Sequence, residues 1–81
     1  MKTVYKYNPE DYREMGMEED LLNFYVHVNK YKAEQTSDAW DDLVMASRQL
    51  SFSIKHREVE GFLSPQKAEE IRNYMEDILD D

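Results

Sequence analysis

An all-α fold is what the sequence predicts: a small three-helix bundle, made of an antiparallel helical hairpin and a C-terminal helix. Three features predict it. Helix breakers are scarce, with two glycines and two prolines among many Glu, Lys, Met and Leu residues. Apolar residues recur at steps of three and four. Capping residues stand where each periodic stretch begins or stops. A chain of 81 residues holds a single domain around one core, burying roughly 60% of the surface its unfolded form exposes.

Each element has its own warrant. Residues 1–7 read as an extended arm. Val4, Tyr5 and Tyr7 favour β conformation but have no partner strand, so the arm is expected to pack by its tyrosines. Asn8 suits a cap, Pro9 suits the first helical position, and Glu10 and Asp11 suit the positive end of a helix dipole. They predict a short helix over 9–15. Gly16 either ends it or lies within a longer helix, at a cost of about 1 kcal/mol relative to alanine. The second helix is expected over 17–34, on a seam of Met17, Leu21, Phe24, Val28 and Tyr31.

The third helix is expected over 38–60, with Ser37 as its cap and Gly61 as its left-handed stop. Its main face is Trp40, Leu43, Val44, Ser47, Leu50 and Ile54. Gly61-Phe62-Leu63-Ser64-Pro65 is the clearest punctuation in the chain: a stop, a two-residue crossing, a cap and a helix start. The fourth helix is expected over 65–79. Ala68, Ile71, Met75 and Ile78 form its narrow stripe, with Tyr74 and Leu79 on the shoulders.

Composition excludes several classes. There are no cysteines, so disulfides, zinc ribbons and thiolate catalysis are out. No apolar run approaches the length of a membrane span or a signal-peptide core. The sequence therefore predicts no membrane partner and a cytoplasmic location. With 18 Asp and Glu against 10 Lys and Arg, the formal net charge is −8, which argues against direct binding to nucleic acid.

Catalytic motifs are missing. His27 and His56 lack the Glu-x-x-His pattern of di-iron bundles, since Phe24 and Ser53 occupy the third position before them. His56 and Glu60, four apart, suit an ion pair better than half a metal site. Ser47, Ser51 and Ser53 fall inside a helix, with no Gly-x-Ser-x-Gly elbow. Two separated glycines cannot form a phosphate loop. The expectation is a non-enzymatic protein with no cofactor and no metal.

The helices also carry more apolar residues than one core needs. Leu22 and Val26 fall outside the seam of the second helix. Met45, Phe52 and Val59 repeat every seven residues on the third, far around from its main face. A row of small residues, Ala39, Ala46 and Ser53, has the same repeat and would admit another helix closely. The second stripes either receive the N-terminal arm and short helix or meet another protein. The leading expectation is a small acidic interaction module or accessory subunit that self-associates, as a homodimer, through Met45, Phe52, Val59, Leu22 and Val26.

The charge suggests an alternative. The stretch from Asn8 to Asp20 has six acids and one base; that from Glu58 to Asp81 has eight acids and two bases. Leu21 to Arg57, between them, is near neutral. Acidic lobes can present carboxylates where a nucleic-acid-binding protein expects phosphates. On that reading the chain is a mimic that inhibits such a protein, as phage and mobile-element anti-restriction and anti-CRISPR proteins do. Glu18, Glu19, Asp20, Glu69, Glu70 and Glu76 would carry the mimicry.

Overall fold

Three α-helices and one turn of 3-10 helix account for the architecture, which a computed structural model describes over residues 6–80. The 3-10 turn is Pro9–Tyr12; α1 is Glu18–Glu34, α2 is Ser37–Val59 and α3 is Pro65–Asp80. No strand occurs among the described residues. The long dimension of the molecule is 37 Å. It is set by α2, whose 23 residues rise about 34 Å. Residues 1–5 of the expected arm lie outside the described residues.

The boundaries follow local chemistry. Thr36, not Ser37, caps α2, its hydroxyl accepting from the Ala39 amide at 3.1 Å. The Ser64 hydroxyl caps α3 by accepting from Lys67 N–H at 3.1 Å. Gly61 has φ +88° and terminates α2 in a Schellman pair. Phe62 N–H donates to the Arg57 carbonyl at 2.9 Å, and Gly61 N–H to that of Glu58 at 3.1 Å. The short helix expected over 9–15 is one 3-10 turn. Asn8 caps it through Oδ1, which accepts from Glu10 N–H at 3.1 Å. The chain then leaves helical geometry before Gly16, which is left-handed at φ +82°.

The core assembles most of the expected stripes, but Trp40 of the expected α2 face is 36% exposed, its ring against Tyr31, and Val44 is half-buried. Met17, Leu21, Phe24 and Val28 of the α1 seam are buried, as are Leu43, Leu50 and Ile54 of α2 and Ala68, Ile71, Met75 and Ile78 of α3. The small-residue row has its helix within the chain. Ala39 and Ala46 are buried, and the Ser53 hydroxyl donates to the Asp20 carboxylate of α1. Asn23 with Gln49 at 3.4 Å and Lys30 with Asp42 at 3.7 Å continue this contact as a polar seam along the outside of the hairpin.

The bundle is asymmetric. Cα atoms of α3 come within 8 Å of those of α2, but nowhere of those of α1. The side chain and backbone of Tyr7 fill that gap. The Tyr25 hydroxyl of α1 donates to the Tyr7 carbonyl at 2.8 Å and lies 3.2 Å from the Tyr7 N–H, which donates to it. The Tyr7 hydroxyl donates to Glu70 of α3 at 2.8 Å. Its ring meets those of Tyr12 and Tyr74 edge-on, with the Lys67 ammonium 5.1 Å from its centroid. Tyr7 thus packs between α1 and α3.

Ionisation of this cluster is perturbed so that the hydroxyls stay neutral and the carboxylate stays charged. Burial first, then the Glu70 carboxylate, pushes the Tyr7 hydroxyl pKa up. Burial does the same for Tyr25. The Tyr7 hydroxyl, followed by Lys67, holds Glu70 below the usual carboxylate range.

Two predictions follow from the wedge. Tyr25→Phe leaves the buried Tyr7 amide and carbonyl without that partner and should cost about 1–3 kcal/mol in urea unfolding. An unchanged midpoint would show that the contact contributes nothing. In the pH dependence, Glu70 stabilises the fold above its unfolded pKa, and this is lost as pH falls through the lowered folded value. Tyr7 and Tyr25 contribute fully below about pH 10 and lose it as pH rises toward their raised folded values. Urea melts across pH should show both losses, and Tyr7→Phe should reduce both.

Candidate functional site

All five apolar residues assigned to an interaction surface are exposed. Relative exposures are 61% for Met45, 76% for Phe52 and 77% for Val59 on α2, against 47% for Leu22 and 60% for Val26 on α1. The buried residues of α2 surround Leu50 on the helix circumference. At about 100° per residue, Phe52 points almost directly away from them. The wedge between α1 and α3 occupies Tyr7 and Tyr12, and neither covers the α2 stripe.

The five do not form one continuous patch. Asn23, Lys30, Gln49 and Asp42 of the polar seam lie between the two stripes. Val26, three residues after Asn23 and four before Lys30, borders this seam on its α1 side, so the seam separates the two stripes and α2 carries the larger surface by itself. Phe62, in the turn after α2, is 59% exposed and adds an apolar residue at the Val59 end. The sequence marks Phe62 as part of a crossing, and burial of its neighbour Leu63 shows that one residue of the pair turns inward and one outward.

Phe52 also borders a groove between α2 and α3 of about 950 Å³. Val44, Met75 and Leu79 give it apolar walls, and Arg48 and Lys55 stand along its α2 side. Arg72 and Glu58 close one end with an ion pair at 3.1 Å. Helical periodicity does not reveal this groove, because it forms only between two packed helices. Arg48, Phe52 and Lys55 at i, i+4 and i+7 nevertheless mark one helical stripe.

The six carboxylates assigned to mimicry are dispersed in role. Glu18 accepts from Arg13 at 2.8 Å, Asp20 from Ser53, and Glu70 from both Tyr7 and Lys67. Glu19, Glu69 and Glu76 are exposed. His56 meets Glu60 at 3.5 Å, as their spacing predicts. His27 Nδ1 lies 2.8 Å from the Asn23 carbonyl and, as an N–H, donates to it. Among the described residues, no three His, Asp or Glu side chains converge as metal ligands, no Asp or Glu is buried, and no helix is long and apolar enough to cross a membrane.

Compared against known protein families, curated proteins and solved structures, the chain matches none of them.

The α2 stripe should be dispensable for folding. Met45→Ser, Phe52→Ser and Val59→Ser should each change the unfolding free energy by less than about 0.5 kcal/mol, as expected of exposed positions. Leu50→Ala, on the buried face, should cost about 2–5 kcal/mol. Chemical denaturation of the four variants checks the contrast. A large loss from Phe52→Ser would assign that side chain to the core instead.

Proposed function

We propose that this chain is a small acidic, non-enzymatic interaction module that works by binding protein, itself included, through the outer face of α2. One observation carries the reading: Met45, Phe52 and Val59 are among the most exposed large apolar side chains and lie in a row on a face that the other described residues leave open. Removing such side chains from water is worth roughly 1.5–3 kcal/mol each when burial is complete. A small domain gains more from such burial than a large one, because its own core is limited. The two-fold dimer is the simplest self-association, with the same stripe contributed by both copies. Cytoplasmic residence belongs to the same proposal.

The acidic mimic is less well supported. Three of its six carboxylates, Glu18, Asp20 and Glu70, already accept hydrogen bonds within the chain. Arg13 and Lys67 stand among them, interrupting a phosphate-like row.

Sedimentation equilibrium tests the proposal. The chain should associate at micromolar concentration, and Phe52→Asp should give a monomer with an unchanged helical circular-dichroism spectrum. A strict monomer at high micromolar concentration would overturn self-association.

A further inference from the structure

We infer that the α2–α3 groove is a docking site for an acidic amphipathic helix of a partner protein. The inference deepens the interaction-module reading and rests on it, but uses a second surface that shares Phe52 with the first.

The shape favours a helix. The groove extends along α2 from Val44 to Glu58, about 21 Å at 1.5 Å per residue, or some four helical turns. Its floor is apolar, with Met75 buried at the base and Leu79 half-buried beside it, while Arg72 and Glu76 stand on the α3 wall. Phe52 stands 76% exposed on the near wall. A partner helix with apolar residues at i, i+3, i+4 and i+7 fits such a trough.

The charges specify the occupant's sign. Arg48 and Lys55 are exposed, flank Phe52 one turn to either side, and border the groove. Neither has an ion pair among the described residues, although the chain carries 18 Asp and Glu. By contrast, Arg72, the other cation of the groove, is paired with Glu58. Glu76 is exposed on the α3 side, so three cations and two carboxylates leave the lining at +1, with Arg48 and Lys55, unpaired among the described residues, making a positive strip beside Phe52 on the α2 side of a protein of net charge −8. Carboxylates on a docked helix complement it and would be repelled elsewhere on this surface. Two cations are too few to hold a phosphate backbone against that net charge.

A second copy of the chain fits less well. Pairing α2 with α2 about Phe52 in antiparallel fashion sets Arg48 near the level of His56 and Lys55 near that of Gln49. Neither cation then meets a carboxylate.

The experiment is selection from a displayed library of random amphipathic helices of about 14 residues, using the intact chain as bait. The selected helices should carry Asp and Glu in excess beside their apolar stripe. Synthetic peptides of those sequences should bind in fluorescence anisotropy, with affinity falling as salt rises. Arg48→Glu combined with Lys55→Glu should weaken binding by about tenfold or more, and Phe52→Asp should weaken it as well. Gln66→Asp, at an exposed position of α3 outside the groove, should leave it unchanged. Neutral or basic selected helices, no selected helices, or peptides indifferent to the double charge reversal would each overturn the inference.

Sedimentation of the double variant separates this test from that of self-association. Arg48→Glu/Lys55→Glu should associate as the parent chain does, whereas Phe52→Asp should not. Loss of self-association in the double variant would make a second copy the occupant and overturn the partner helix.

Discussion

The backbones of α1 and α3 stay apart, and the structure depends on what fills the space between them. Tyr7 does so with both its main chain and its ring. The Tyr25 hydroxyl engages the Tyr7 amide and carbonyl together, which fixes the segment to α1. The Tyr7 hydroxyl on Glu70 fixes it to α3. Buried peptide groups need partners, and here a side chain supplies them where no ladder is present. Because the segment is committed to this gap, Tyr7 and Tyr12 are not available to cover the outer face of α2. Among the described residues, Met45, Phe52 and Val59 are therefore left exposed.

Much of the fold was legible because helices announce themselves locally. Heptad spacing located Met17, Leu21, Phe24 and Val28, and the Gly61-to-Pro65 punctuation located the α2–α3 turn. The cap at Thr36 was misplaced by one residue, since Thr36 and Ser37 carry the same capping chemistry. The 3-10 turn was read as a longer helix. Its first residues have a cap and a proline, but no apolar period holds Arg13 and Glu14 in a helix against the core. Tyr25 fell outside the four-three seam. Its burial depends on Tyr7, eighteen residues earlier, and periodicity carries no information about such a contact.

The candidate surfaces were legible to different degrees. A residue placed opposite a helix's core face is exposed unless something else covers it, so Phe52 could be named from spacing alone. Grouping Leu22 and Val26 with it required the relative rotation of two helices. The polar seam of Asn23, Gln49, Lys30 and Asp42 sets that rotation and separates the stripes. The groove required the packing of α2 against α3, a property of neither helix alone. The charge followed the same pattern. The sequence showed a near-neutral middle, and the fold turned it into two cations without ion-pair partners beside an aromatic ring.

The span of the Tyr7–Glu70 contact, 63 residues along the chain, has a consequence for the order of assembly. The α1–α2 hairpin closes through a two-residue connection, so its contacts are local and its loop entropy is small. The hydrogen bonds of Tyr7 to Glu70 and of Lys6 to Tyr74 join segments that meet only after α3 has docked on α2. They complete the structure and do not nucleate it. By the same reasoning, the wedge can open without breaking the local contacts of the hairpin. Its release would bare the buried face of Tyr25 while leaving the hairpin, and the stripe on its outer side, in place.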